Sequence, residues 1–165
     1  MTKGRSAALI VCIAVALAMV LVPTAGAGPW TAASGNWTWV NNSIEFTDVG
    51  NGCQSLTGDE NGTWKGTFAG VSHEDFFGVV IPDGSMGGAL TSAFKGSVKH
   101  TKGTMVMHIV FWAPFTSLFM GGSWKIVSGA GGLSHLRGQG TWVSLVDAEN
   151  TPLSAATYEG KIRLK

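Results

Sequence analysis

Cysteine is nearly absent. The chain has two, Cys12 and Cys53. Cys12 lies in the leader described below, so Cys53 is alone and an internal disulfide framework is excluded. Cys53 reads as a half-buried small apolar residue; an intermolecular bridge and a reactive thiol are the other readings. Charge is scarce as well, with Asp, Glu, Lys and Arg making up 13% of residues and a formal net charge of +1. No basic stripe exists, which excludes an electrostatic nucleic-acid surface. Helical periodicity is almost missing after residue 28, which argues against a helical domain. Only one long hydrophobic run occurs, Ala7 to Val22. It is shorter than the roughly 18 residues of a membrane-spanning helix.

That run follows Lys3 and Arg5 and precedes Ala25-Gly26-Ala27. A positive start, a short apolar stretch and a small-x-small site are the parts of a cleavable signal helix. Residues 1–27 are therefore expected to be a signal peptide cut before Gly28, with an uncleaved anchor as the alternative. The protein is expected to be secreted or extracytoplasmic, touching a membrane only through this segment. Residues 28–165 then form one domain, large enough for a core. Without Lys3 and Arg5 the net charge becomes −1. Three Asn-x-Ser/Thr triplets, at Asn36, Asn41 and Asn61, matter only in a host that glycosylates.

What is abundant is glycine, with 24 residues, together with seven Trp. Gly punctuates short apolar segments at regular intervals, the pattern of an all-β sandwich or barrel. The clearest strand is Tyr158-Glu159-Gly160-Lys161-Ile162-Arg163-Leu164, where Tyr158, Ile162 and Leu164 share one face. Such a strand needs a partner to cover its edge, which points to a sheet closed on itself. Strands are predicted over 35–40, 43–49, 53–57, 62–69, 73–81, 89–94, 104–112, 123–128, 139–146 and 157–164. Turns are predicted at Val49–Gly52, Asn61-Gly62, Pro82–Gly84 and Lys102-Gly103, where Gly, Asn, Asp or Pro suits tight backbone. Asp147 to Pro152 reads as a polar loop. The stretch Met105–Trp112 is apolar on both sides of the pleat except at His108. Its outer face requires a cover, either Phe115–Met120 or a second subunit. Residues 105–120 are thus a candidate homo-oligomer contact.

Several motifs carry a resemblance. They are Gly132-Leu133-x-x-Leu136-Arg137-Gly138-x-Gly140-Thr141-Trp142 and Tyr158-x-Gly160-x-Ile162. Upstream are Gly62-Thr63-Trp64-x-Gly66-Thr67-Phe68-x-Gly70-x-Ser72-x-Glu74 and Phe94-x-Gly96-x-Val98 with Lys102-Gly103-Thr104. Together they resemble an uncharacterised microbial barrel family, the domain of unknown function 3224 type, related in fold to plant allene oxide cyclases. The match spans about residues 35–165. The resemblance implies a single antiparallel, closed or nearly closed β-barrel of about eight strands, allene oxide cyclase-like or calycin-like. Its interior would be filled or would enclose one small ligand. It implies no established activity. The doubly apolar Met105 strand and the Phe115–Met120 segment depart from the pattern.

The candidate ligand-binding residues are His108, Arg137, Glu74, Glu45 and Trp124. His108 shares strand parity with Val106, Val110 and Trp112, and is expected as a core or interface histidine or as a lumen acid or base. Arg137 is expected to fork onto a carboxylate, with Glu45, Glu74 or Glu159 as partners, or to recognise an acidic head group. In His73-Glu74-Asp75, His73 and Asp75 share a face and Glu74 points away. Two ligands are too few for zinc, so no metal is expected, and no cofactor motif is present. His100 and His135 read as solvent-facing. No pair of carboxylates is placed across a cleft. Most Trp, Trp124 included, are expected in the core or at the barrel rim.

Three functions suit this pattern. The first is a barrel binding a small apolar or amphipathic ligand. The second is an isomerase or cyclase acting on a lipid-like substrate in the lumen. The third is a non-catalytic structural or oligomeric protein.

Overall fold

Alternation of apolar and polar side chains governs nearly every segment after Pro29. Each such segment becomes a strand, because period two is the repeat of a pleated backbone with one dry face. The computed structural model describes residues 28–114, 119–146 and 152–164. The signal segment 1–27, most of the predicted loop at 147–152 and residues 115–118 of the predicted cover lie outside the described residues.

The strands are β1 (Thr31–Gly50), β2 (Cys53–Gly66), β3 (Phe68–Val80), β4 (Met86–Val98), β5 (Thr101–Ala113), β6 (Gly121–Gly131), β7 (Arg137–Val146) and β8 (Pro152–Arg163). Every neighbouring pair is antiparallel, and the sheet closes as an eight-stranded, barrel-like ring in chain order. No helix occurs among the described residues. Closure is made by β1 against β8, from Thr31 opposite Ile162 to Thr38 opposite Ala155. Trp30 reinforces it from outside, lying 5.3 Å from the Lys161 ammonium and 4.9 Å from the Arg163 guanidinium.

The interior is packed at one end and hollow at the other. At the packed end Leu133 and Leu136, from the β6–β7 turn, are fully buried with Phe68, Val98 and Ile162. Above them stands an aromatic column. Tyr158 stacks on Phe68 at 5.0 Å, and Trp64 and Trp124 pack against this pair at angles. Trp124 lies over Gly140 and Gly160, where an added Cβ would meet its ring at 2.6 Å. Glycine on both strands is what admits the indole. The Tyr158 hydroxyl accepts from Phe68 N–H at 2.9 Å and donates to Lys65 C=O at 3.3 Å, bracing β8 on the β2–β3 corner. Burial pushes its pKa up to about 12, so the donating proton is kept.

Four expectations need correction. The predicted 62–69 strand is broken at Gly66-Thr67, where β2 turns into β3. Asn61-Gly62 is not a turn, because β2 runs straight through it. The predicted 35–40 and 43–49 segments are one strand, bent by a bulge between Asn41 and Ser43. The tight turn expected at Lys102-Gly103 lies earlier, at Lys99-His100, with φ of 47° and 73°. Gly103 is instead needed inside β5, where Leu133 approaches it. The bulge places one extra residue, Asn42, in β1, so Ile44 and Phe46 keep to the interior side opposite Gly58 and Leu56.

Positive φ at both central residues of a two-residue hairpin favours Asn-Gly, and costs Lys and His conformational energy. Replacing Lys99-His100 by Asn-Gly is therefore expected to stabilise the fold by about 1 kcal/mol. A urea midpoint that fails to rise would count against this reading of the turn.

Candidate functional site

The hollow end is a cavity of about 230 Å³, lined mostly by apolar and aromatic side chains. Trp37, Trp39 and Trp142 form one wall, Phe76, Leu90 and Phe111 another, and Ile44 and Phe46 the lip. The lip follows from the closure geometry. β1 leaves β8 after Thr38 and continues with β2 alone, so residues 40–50 stand proud of the ring. Trp37 lies 4.9 Å from Trp39 and 5.5 Å from Trp142, and it stacks on Trp64 at 5.0 Å.

A polar belt crosses the interior below these rings. The register sets Asn41 opposite Glu60, Glu60 opposite Glu74, and Glu74 opposite Ser92. Asn41 and Glu60 reach the cavity, whereas Glu74 lies behind them. Glu74 is 0% exposed and Glu60 is 6% exposed. Glu74 Oε1 accepts from Ser72 Oγ at 2.7 Å and Ser92 Oγ at 2.8 Å, and Trp64 Nε1 donates to Ser72 Oγ at 2.8 Å. Gly62 makes this crossing possible. A Cβ there would stand 2.3 Å from Ser72 Oγ and 2.8 Å from Trp37 Nε1.

Two carboxyl groups side by side and out of water resist ionisation. Burial is the largest cause for both. It raises Glu60 from 4.5 to about 8, helped by the charge of Glu74. Glu74 is also raised, although the Ser72 and Ser92 hydroxyls oppose the shift. A hydrogen bond between the carboxyls needs a proton on one of them. The proton belongs to the pair and not to either carboxyl alone. Near neutral pH the pair thus holds at least one proton, the property of a carboxyl group suited to donating.

Of the candidates read from sequence, Glu74 alone joins this belt. His108 is exposed on the outer face of β5 beside Val110 and Trp112, so it is neither a core histidine nor a lumen group. Its predicted parity is correct; the side is the outer one. Arg137 is also exposed, and its Nη1 donates to Leu136 C=O at 2.8 Å instead of forking onto a carboxylate. Glu45 is exposed on the far side of the lip, opposite Thr57. Trp124 belongs to the packed core, its Nε1 donating to Thr141 and Glu159 carbonyls, and it does not reach the cavity. His73 and Asp75 do share the outer face, 3.8 Å apart, with Glu74 turned inward. Among the described residues no three metal-binding side chains converge. Cys53 is half-buried and free.

Glu60, Asn41, Ser72 and Ser92 escaped the sequence reading. Glu60 was legible in principle, since Leu56, Gly58, Glu60, Gly62 and Trp64 alternate along one strand. The Asn61-Gly62 turn signal broke that parity. Asn41 was hidden by the bulge that follows it.

No protein-family model matches the chain, and no curated protein does. Solved structures similar to the chain include the following two. One is a protein of unknown function from the DUF3224 family of Shewanella oneidensis MR-1. It has 17% identity and a TM-score of 0.63, covering 83% of this chain and 98% of that one. The other is an enzyme from Penicillium herquei, with 10% identity and a TM-score of 0.52, covering 82% and 96%. The first agrees with the family type indicated by the Leu136–Trp142 motif. The second fits the wider allene oxide cyclase-like relation. At these identities both are likenesses of fold.

The acid pair makes stability depend on pH. Both native pKa values lie above the unfolded one, so the native state binds more protons between about 4.5 and 8. Stability is then full below about 4.5 and is lost as pH rises towards 8. The melting temperature is expected to fall across this window, and Glu60→Gln should flatten the fall. An equally steep decline in the variant would remove Glu60 as its source.

Proposed function

We propose that this chain is an exported barrel of the allene oxide cyclase-like, calycin-like kind that binds a small apolar or amphipathic molecule at its open end. The observation that carries the reading is the contrast between the two ends of one interior. The first is sealed by Leu133 and Leu136. The second keeps a cavity walled by three indoles above a few convergent polar groups. Ligand sites have this composition, because apolar walls supply affinity and isolated polar groups fix orientation. An environment-sensitive apolar dye is expected to bind and to gain fluorescence. Leu56→Trp fills the cavity from its wall and should weaken that binding at least about tenfold, while the overpacked side chain costs about 1–3 kcal/mol of stability. Unchanged dye affinity in a folded variant would refute the site.

A second reading is an isomerase or cyclase working on a lipid-like substrate. It is favoured by the protonated Glu60 at the cavity floor, placed as a general acid. Turnover of a strained epoxide, lost in Glu60→Gln, would be its signature.

Export rests on the leader composition, Lys3 and Arg5 before Ala7–Val22. A homo-oligomer contact through residues 105–120 is supported by Val110 and Trp112, 39% and 58% exposed on the outer face of β5. Native mass spectrometry of the protein from its own host checks both. The expected species begins at Gly28 and contains more than one copy. A full-length chain would oppose cleavage, and a monomer would oppose the contact.

A further inference from the structure

The cavity has an unbalanced charge. Among the described residues that line it there is no Lys, Arg or His. Its floor carries Glu60, with Glu74 in register directly behind. Buried acids are ordinarily paired with a cation, because an unpaired carboxylate loses its hydration without compensation. Here hydroxyls, the Asn41 amide and a second acid are at hand, but no cation. The belt is also not closed on itself. Beyond the Glu60 carboxyl, Glu74 Oε2 meets no hydrogen-bond donor. An under-satisfied buried acceptor costs about 1–3 kcal/mol and calls for a reason beyond packing.

The walls supply a second argument. Trp37, Trp39 and Trp142 crowd one side of the cavity, and Phe76 and Phe111 line the rest. Aromatic faces carry negative potential and attract ammonium groups, most strongly when water is excluded. An aromatic box with a carboxyl floor therefore attracts positive charge from every side. A volume of about 230 Å³ is small for a binding site, below the roughly 300–1,000 Å³ of drug-sized pockets. A compact head with a short alkyl tail suits it.

We propose that the pocket selects a small amphiphile with a cationic ammonium head, held beside Glu60 and against the Trp37, Trp39 and Trp142 rings, with its apolar tail towards the Ile44–Phe46 lip. The inference rests on the open end being a ligand site. Its charge balance is explicit. The arriving cation replaces the proton that Glu60 shares with Glu74, and that proton leaves to solvent. An anionic head would instead set a third acid beside the pair.

The test is a head-group series on the purified protein, using hexyltrimethylammonium, octanol and octanoate at one ionic strength. Binding is read by titration calorimetry and by Trp fluorescence. The quaternary head keeps its charge at every pH, so any pH dependence belongs to the protein. The ammonium is expected to bind at least about tenfold more tightly than octanol at pH ~8, with octanoate weakest, as desolvated charge pairing predicts. Its affinity should rise between pH ~6 and ~8, with proton release in that range, while that of octanol stays flat. Glu60→Gln should remove both the advantage and the pH dependence. Octanol or octanoate binding as tightly as the ammonium overturns the head-group assignment and leaves the pocket standing. A pH-independent ammonium affinity in the unaltered protein overturns the assignment too, whatever the variant does. If none of the three binds, the pocket itself falls, and this inference with it.

Discussion

Closing an eight-stranded sheet creates a single interior that the strands and the turns between them must fill. That constraint shapes everything else in this molecule. The fill comes from strands far apart in sequence. Phe68, Trp64, Tyr158 and Trp124 lean on one another, and large rings on some strands face glycine on others. Each indole buries a large apolar area, and a buried indole N–H is costly without an acceptor. Trp124 meets that demand through the Thr141 and Glu159 carbonyls, which ties it to β7 and β8 at once. The column therefore fills the ring and holds its closing strands together.

The filling stops at the polar belt. Ser72, Ser92, Glu74 and Glu60 occupy inward positions where large apolar groups would otherwise continue the column. Low dielectric strengthens each of their contacts and makes each unmet contact costly. In a purely structural layer, well-packed apolar residues often serve as well or better. The belt instead places titratable groups at the boundary between sealed and hollow interior. The indoles of Trp37 and Trp142 border it on the cavity side, so an aromatic frame adjoins the polar atoms.

Much of the architecture was legible in the residues. Tyr158, Ile162 and Leu164 announced a half-buried strand, and that strand is one of the two that close the ring. Glu74 was separable from His73 and Asp75 by parity alone. Other features were not readable, for physical reasons. Met105–Trp112 is apolar on both faces, so its pattern fixes which residues sit together but not which side faces inward. The side taken by His108 is ambiguous on that account. Arg137 is different, since Leu136, Gly138, Gly140 and Trp142 alternate and already assign it to the outer face. On that face its guanidinium is solvated and needs no carboxylate partner. Glu60 was lost to a local signal, because Asn-Gly suits a turn whenever nothing distant needs the residues extended. Here β1 and β3 flank β2 on both sides and hold it straight.

The bulge at Asn42 has a consequence for how the mouth tolerates change. A pleated ribbon has no intermediate setting, so a slip of one residue exchanges its two sides completely. Loss of Asn42 would only restore plain alternation and keep Ile44 opposite Gly58 and Phe46 opposite Leu56. Pairing Asn42 into the ladder would instead carry Ser43, Glu45 and Thr47 around to the inner wall and leave Ile44 and Phe46 turned to water. The greasy threshold would become a hydrophilic one with every amino acid in it unchanged, so this doorway is encoded in register as much as in composition.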